Sequence, residues 1–159
     1  MPSRLRALIA IAFLGSFLTG IPVQAAWIYI GTDEGGSGEY YHPEIQRRGS
    51  TATLNSFTVL SVPDMAPIWD PKKPTRYKLV KFESEMSTYQ FDCKAKTVQL
   101  TKRVFYSDGG GLFPIIEHRS TDKLLQEHNS EFAKQFRKTP ISLKSNKMLI
   151  LADYACGKP

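Results

Sequence analysis

The sequence predicts an α+β fold: an antiparallel sheet of about six strands, followed by a C-terminal helix tied to the sheet by one disulfide. Three observations carry this. Residues 27–119 alternate between short segments rich in β-branched and aromatic residues and clusters of glycine, proline and aspartate. After Thr121 the apolar spacing lengthens to the three-to-four period of a helix. Strands come first and helices last, the order of an α+β chain rather than of alternating β and α units.

Trp27-Ile28-Tyr29-Ile30-Gly31 reads as a first strand, Asp33–Gly38 as a glycine-rich turn and Glu39-Tyr40-Tyr41 as its return, so 27–41 is a hairpin. His42–Gln46 carries turn chemistry compatible with a single helical turn, and Gly49 marks a second turn. Residues 51–62 form a β-branched strand whose apolar phase shifts from Leu54 to Phe57 and Val59, the signature of a bulge or of a strand covered on both faces. Pro63–Pro74, with four prolines, reads as a long exposed connection. Residues 76–92 and 97–107 are strands joined by Lys94–Lys96, which is too short for a parallel crossover and so makes them antiparallel neighbours. In the second of these, Val98, Leu100, Val104 and Tyr106 are expected on one face. A turn at Ser107–Gly111 leads to a sixth strand at 113–119. Helices are expected over 122–137, started by Thr121 or Asp122, and over 146–155, capped by Ser145 and stopped at Gly157.

The compartment is read from the N-terminus. Arg4 and Arg6 precede an apolar run from Ala7 to Leu18, and Val23-Gln24-Ala25 supplies small residues for a signal-peptidase site, so residues 1–25 are expected to be removed after Ala25. The run is shorter than the about 20 residues a span needs, and no second apolar stretch reaches that length. The mature part, 26–159, is expected to be one domain of 134 residues without a membrane span, periplasmic or secreted to the cell surface. It holds 19 basic and 15 acidic residues, a net +4 that is too weak to imply nucleic acid.

Cys93 and Cys156 are the two cysteines. In an oxidising compartment, with no Cys-x-x-Cys motif and no histidine at ligand spacing, they read as one structural disulfide. His42, His118 and His128 share no metal-ligand spacing, so neither a metal nor another cofactor is expected. Glu83 and Glu85 share one strand face, which reads as solvated rather than catalytic. Ser107–Gly111 lacks the Lys-Ser/Thr and helix that a phosphate loop requires, and no Gly-x-Ser-x-Gly elbow occurs. Nothing in the sequence points to an enzyme. Charge is more informative: Lys72, Lys73, Arg76, Lys78 and Lys81 form one basic cluster, and 132–152 holds basic residues without an acid. Such segments attract polyanions or acidic partners over long range.

Trp27–Gly31, the glycine-rich turn, Tyr40-Tyr41, Phe91-Asp92-Cys93, Tyr106-Ser107-Asp108-Gly109 and Tyr154-Ala155-Cys156-Gly157-Lys158 together resemble the bacterial surface-adhesin protein E family of Gram-negative envelopes. The resemblance spans roughly 27–110 and 145–158. It implies a six-stranded antiparallel sheet with a C-terminal helix disulfide-bonded to it. It also implies a non-enzymatic protein that binds host extracellular matrix or serum proteins and can form a homodimer. Binding of envelope polymers or a polyanionic polysaccharide through Lys72, Lys73, Arg76 and Lys78 follows the same reading, as does the alternative of a periplasmic structural or envelope-maintenance protein. The sequence departs from the family in lacking a lipid-accepting cysteine after Ala25 and in carrying the amphipathic stretch 121–138.

Overall fold

The computed structural model describes residues 26–70, 73–127, 130–141 and 146–157. Strands are β1 (Ile28–Thr32), β2 (Gly38–Tyr41), β3 (Gln46–Arg48), β4 (Thr51–Asp70), β5 (Lys73–Asp92), β6 (Thr97–Tyr106), β7 (Pro114–Arg119) and β8 (Thr139–Pro140); helices are α1 (Lys123–Glu127), α2 (Glu131–Lys134) and α3 (Asn146–Cys156). The main sheet runs β1-β2-β4-β5-β6-β7, with β3 added to β4 and β8 to β6, and all pairs are antiparallel. The expected six-stranded sheet is therefore present with two short additions. The expected helical turn at 42–46 is absent, and Gln46 instead opens β3.

The register explains the core. On one face Ala52, Phe91 and Val98 form a cross-strand row, and Leu54, Tyr89 and Leu100 form the next. Leu151, Ala152 and Ala155 of α3 pack on these rows together with Leu125, Ala133 and Phe136. Thr88 and Tyr89 pair with Lys102 and Leu100, leaving Thr101 as an extra residue that donates its hydroxyl to the Thr88 carbonyl at 3.0 Å. This bulge reverses the facing of everything beyond it. Phe105, not Val104, therefore joins the face of Leu100, where it packs with Phe82 and Ala66 in a second cluster. Tyr106 lies on the opposite face against Phe57, with ring centroids 6.2 Å apart. The expected single face of Val98, Leu100, Val104 and Tyr106 is corrected accordingly.

Pro63–Pro74 is not an exposed connection. Its described part continues β4, and residues 64–70 pair with β5 from Phe82 back to Lys73, making an arm beyond the main sheet. The arm is set off by a register shift in which Val59 and Asp64 face Ser84 and Phe82, so 60–63 are a four-residue bulge opposite Glu83 alone. Prolines are tolerated because the missing donor can face away from the ladder on an edge strand. Pro67 is the clear case: its carbonyl accepts from Nε2 of His118 at 3.1 Å, so its backbone points away from β5.

The stretch expected as one helix over 122–137 is two short helices, and His128 lies outside the described residues. Asp122 spends its carboxylate on the Arg119 amide at 2.7 Å, and Ser130 restarts the chain by capping α2 through the Ala133 amide at 3.2 Å. Of the residues at helical spacing, Leu125 and Phe136 are buried while Leu124 and Phe132 are half-buried, and Ala133, outside that spacing set, is buried as well. Helix α3 falls where expected; its proposed cap Ser145 lies outside the described residues. Cys93, just past β5, is bonded to Cys156 at the end of α3 with Cα atoms 5.4 Å apart. Arg47 of β3 adds a second tie, donating to the carbonyls of Ala155 at 3.2 Å and Tyr154 at 3.1 Å, which satisfies groups left open at a helix C-terminus.

Candidate binding surface

Of the four basic residues singled out in the sequence, three share one strand. Lys73, Arg76 and Lys78 lie on the distal half of β5, all exposed, while Lys72 lies outside the described residues. Residues 76–79 are exposed without interruption, so this stretch does not show the in-out alternation of a half-buried strand. Tyr77 is 60% and Leu79 53% exposed. The pairing accounts for this: β6 accompanies β5 only from Ser84 to Asp92, so among the described residues no strand runs along the outer edge of 73–83. An open hollow of about 360 Å³ lies at the tip, between Ile68, Trp69, Asp70, Arg76, Tyr77 and Lys78. Asp70 stands opposite Lys73 in the ladder. The arm thus combines aromatic surface, cationic side chains and an edge that no described strand accompanies.

The other edge of the arm is held down. His118 of β7 is buried, bonds the Pro67 carbonyl, and meets the rings of Trp69 at 5.3 Å and Phe132 at 5.1 Å. Burial pushes the His118 pKa below its ordinary value, and Arg103 pushes the same way; the Pro67 bond and Asp122 oppose them. A base whose folded pKa is depressed contributes stability above its unfolded pKa, and that contribution is lost as pH falls below about 6.5. The urea midpoint should therefore drop between pH 7 and pH 5. In His118→Gln, which keeps a donor for Pro67, that part of the drop should be missing; equal drops in both proteins would clear His118 of the effect.

Two polar rows lie beside the apolar ones, on the same sheet face. One aligns Tyr41, Ser56, Ser87, Arg103 and His118, the next Glu39, Thr58, Glu85, Phe105 and Ile116. Lys147 of α3 closes an ion pair with Glu39 and donates to the Thr58 hydroxyl at 3.1 Å, while Thr58 donates to Glu39 at 3.2 Å. Arg103 reaches Ser87 at 3.3 Å, Glu85 at 3.7 Å and Gln135 at 2.6 Å. Glu85 is therefore paired on a largely buried face rather than solvated beside Glu83. These groups neutralise one another and tie α2 and α3 to the sheet. Sequence reading missed them, although Glu39 at i,i+2 from Tyr41 was a signal: an acid on the inward phase of a strand needs a cation.

The Ser107–Gly111 turn is also accounted for. The Asp108 carboxylate accepts the amides of Gly110 at 2.9 Å, Leu112 at 3.1 Å and Phe113 at 2.9 Å, so the loop's donors are consumed internally and do not cradle an anion. These amides, Phe113 foremost, hold the Asp108 pKa below its ordinary range. Gly111, at φ +71°, lies on the Phe57 ring, where a Cβ would approach to 2.9 Å. His42 meets Trp27 edge-on at 5.2 Å. No group of three metal-capable side chains occurs among the described residues.

Compared with known families, residues 27–155 match the surface-adhesin protein E family. The chain belongs to that family. No curated protein matches the sequence. Among solved structures, protein E from non-typeable Haemophilus influenzae is similar at 10% identity and a TM-score of 0.46, over 85% of this chain and 79% of that one. In this adhesin-family chain, α1 and α2 occupy the 121–138 stretch that the resemblance had set apart, and no described helix is long and apolar enough to cross a membrane.

Proposed function

We propose that the chain is a non-enzymatic, adhesin-like binding protein of a Gram-negative envelope. In this reading residues 1–25 direct secretion and are cleaved after Ala25, and 26–159 act as one domain without a cofactor. The contact surface is the basic arm, with Lys72, Lys73, Arg76 and Lys78 meeting host matrix or serum proteins or a polyanionic polysaccharide. The observation that carries the reading is the run of exposed residues 76–79 on an unaccompanied strand, cationic and aromatic together. Family membership supports adhesion in general terms. The first cysteine of the sequence after Ala25 is Cys93, just past β5 and bonded to Cys156, which favours a periplasmic envelope role as the second reading.

Surface plasmon resonance on heparin and on a matrix glycoprotein tests the first reading. Exposed charges act within a Debye length of about 8 Å at physiological salt, so binding should weaken as salt rises, chiefly through a slower on-rate. Reversing Lys72, Lys73, Arg76 and Lys78 to glutamate should cut the on-rate roughly tenfold or more while leaving the thermal midpoint unchanged. Binding indifferent to both salt and reversal would remove the arm from the site. Protease treatment of intact cells separates the two readings, since a periplasmic protein survives it.

A further inference from the structure

We infer that the arm captures an extended peptide with alternating acidic and apolar residues, which adds as a strand to the outer edge of β5 at Tyr77–Lys81. This deepens the binding reading above and rests on the arm being the contact surface. The Pro67 carbonyl is taken by His118 and so points away from β5. Residues opposite one another in an antiparallel ladder alternate between bonded and non-bonded pairs. Pro67 is opposite Leu79, so this pair is a non-bonded one, and Leu79 turns its own N–H and C=O away from β4. By the same alternation Tyr77 and Lys81 do too.

That edge is open among the described residues, because β6 begins to accompany β5 only at Ser84. The other edges are poorer templates. β1 is interrupted by a register shift between Tyr29 and Gly31, β7 has six residues and starts at a proline, and on the arm's β4 edge Pro67 is already engaged by His118. An added strand receives affinity from main-chain bonds and specificity from pockets for alternate side chains. Here the hollow beside Trp69, Tyr77 and Ile68 suits an apolar side chain, and Arg76 and Lys78, on the alternate face of β5, suit acidic neighbours. The sequence from Asp64 to Lys81 holds five basic and two acidic residues. Two copies of this edge would bring like charges together, which disfavours self-pairing and selects an acidic partner.

The test uses a labelled eight-residue peptide alternating valine and glutamate, read by fluorescence anisotropy on the mature protein. Two versions are N-methylated on alternate amides in opposite phases. One phase should lose binding at least tenfold and the other should keep it. Leu79→Pro, which removes an outward donor at an edge position, should lose binding to the same degree with its thermal midpoint retained. Arg76→Glu/Lys78→Glu should weaken the peptide and heparin together. Equal binding by both methylated phases overturns strand addition whatever becomes of Leu79→Pro. Heparin binding without peptide binding also overturns it, while leaving the basic surface standing. Peptide binding in one phase that ignores the charge reversal overturns the acidic partner. Phase-selective peptide binding without heparin or glycoprotein binding upholds strand addition and removes those partners from the proposed function.

Discussion

Replacing Cys156 with serine is expected to destabilise the protein by about 4 kcal/mol, the chain-entropy value for a loop of this length. The bond joins residues 63 apart. For a chain of this size that corresponds to a fall of about 12 °C in thermal midpoint. The location makes the loss consequential. Cys156 ends α3, whose Leu151 and Ala155 are fully buried against the sheet, and Cys93 follows directly on β5, whose Phe91 is fully buried. Arg47 and the Tyr41–Tyr154 ring stack at 4.2 Å still hold the helix end, so the reduced protein should remain folded at room temperature. Calorimetry of Cys156→Ser, and of the Cys93→Ala/Cys156→Ala double variant to exclude effects of a free thiol, checks this. A midpoint within about 2 °C of wild type in both would show the bond to be idle.

Lys147→Met is expected to cost about 3 kcal/mol, at the lower end for breaking a buried ion pair because Lys147 retains some solvent contact. Glu39 is 9% exposed, and without Lys147 its carboxylate keeps, among the described residues, the Thr58 hydroxyl. The penalty is that of a buried charge left without its cation, so the double variant Glu39→Leu/Lys147→Met should recover most of it. Urea midpoints of the single and double variants measure this directly. A single variant within about 0.5 kcal/mol of wild type, or a double variant no better than the single, would show that the pair does not hold α3 to the sheet.

Much of the candidate surface was legible from composition, because clustered lysine and arginine between prolines cannot be buried without partners. Arg76 and Lys78 were legible as the start of the strand at 76–92, but its extension back to Lys73 and its pairing with 64–70 were not. Prolines at 63, 67, 71 and 74 argue against a central strand, and only the ladder reveals that 64–70 and 73–82 form an arm whose Pro67 faces outward. The Thr101 bulge shows the same limit: period-two reading assigned Val104 and Tyr106 to the core face, and one extra residue moved them to the other side. Likewise a helical period from Leu124 to Phe136 does not disclose that Asp122 turns back to Arg119 and that Ser130 begins a new helix.

By itself the sequence determined the α+β order, the hairpins at 27–41 and 76–107, the final helix and its cysteine partner. Each of these depends on local periodicity, on turn chemistry, or on two cysteines with no third cysteine in the sequence to pair with. The tertiary structure alone decided which residues of β6 face the core, how Glu39 meets Lys147 and Glu85 meets Arg103, and that β5 leaves β6 behind at Ser84 to expose an edge. The physical reason is the same in each case. Facing, ion pairing and edge exposure depend on strand register, which is set by contacts between residues far apart in the chain.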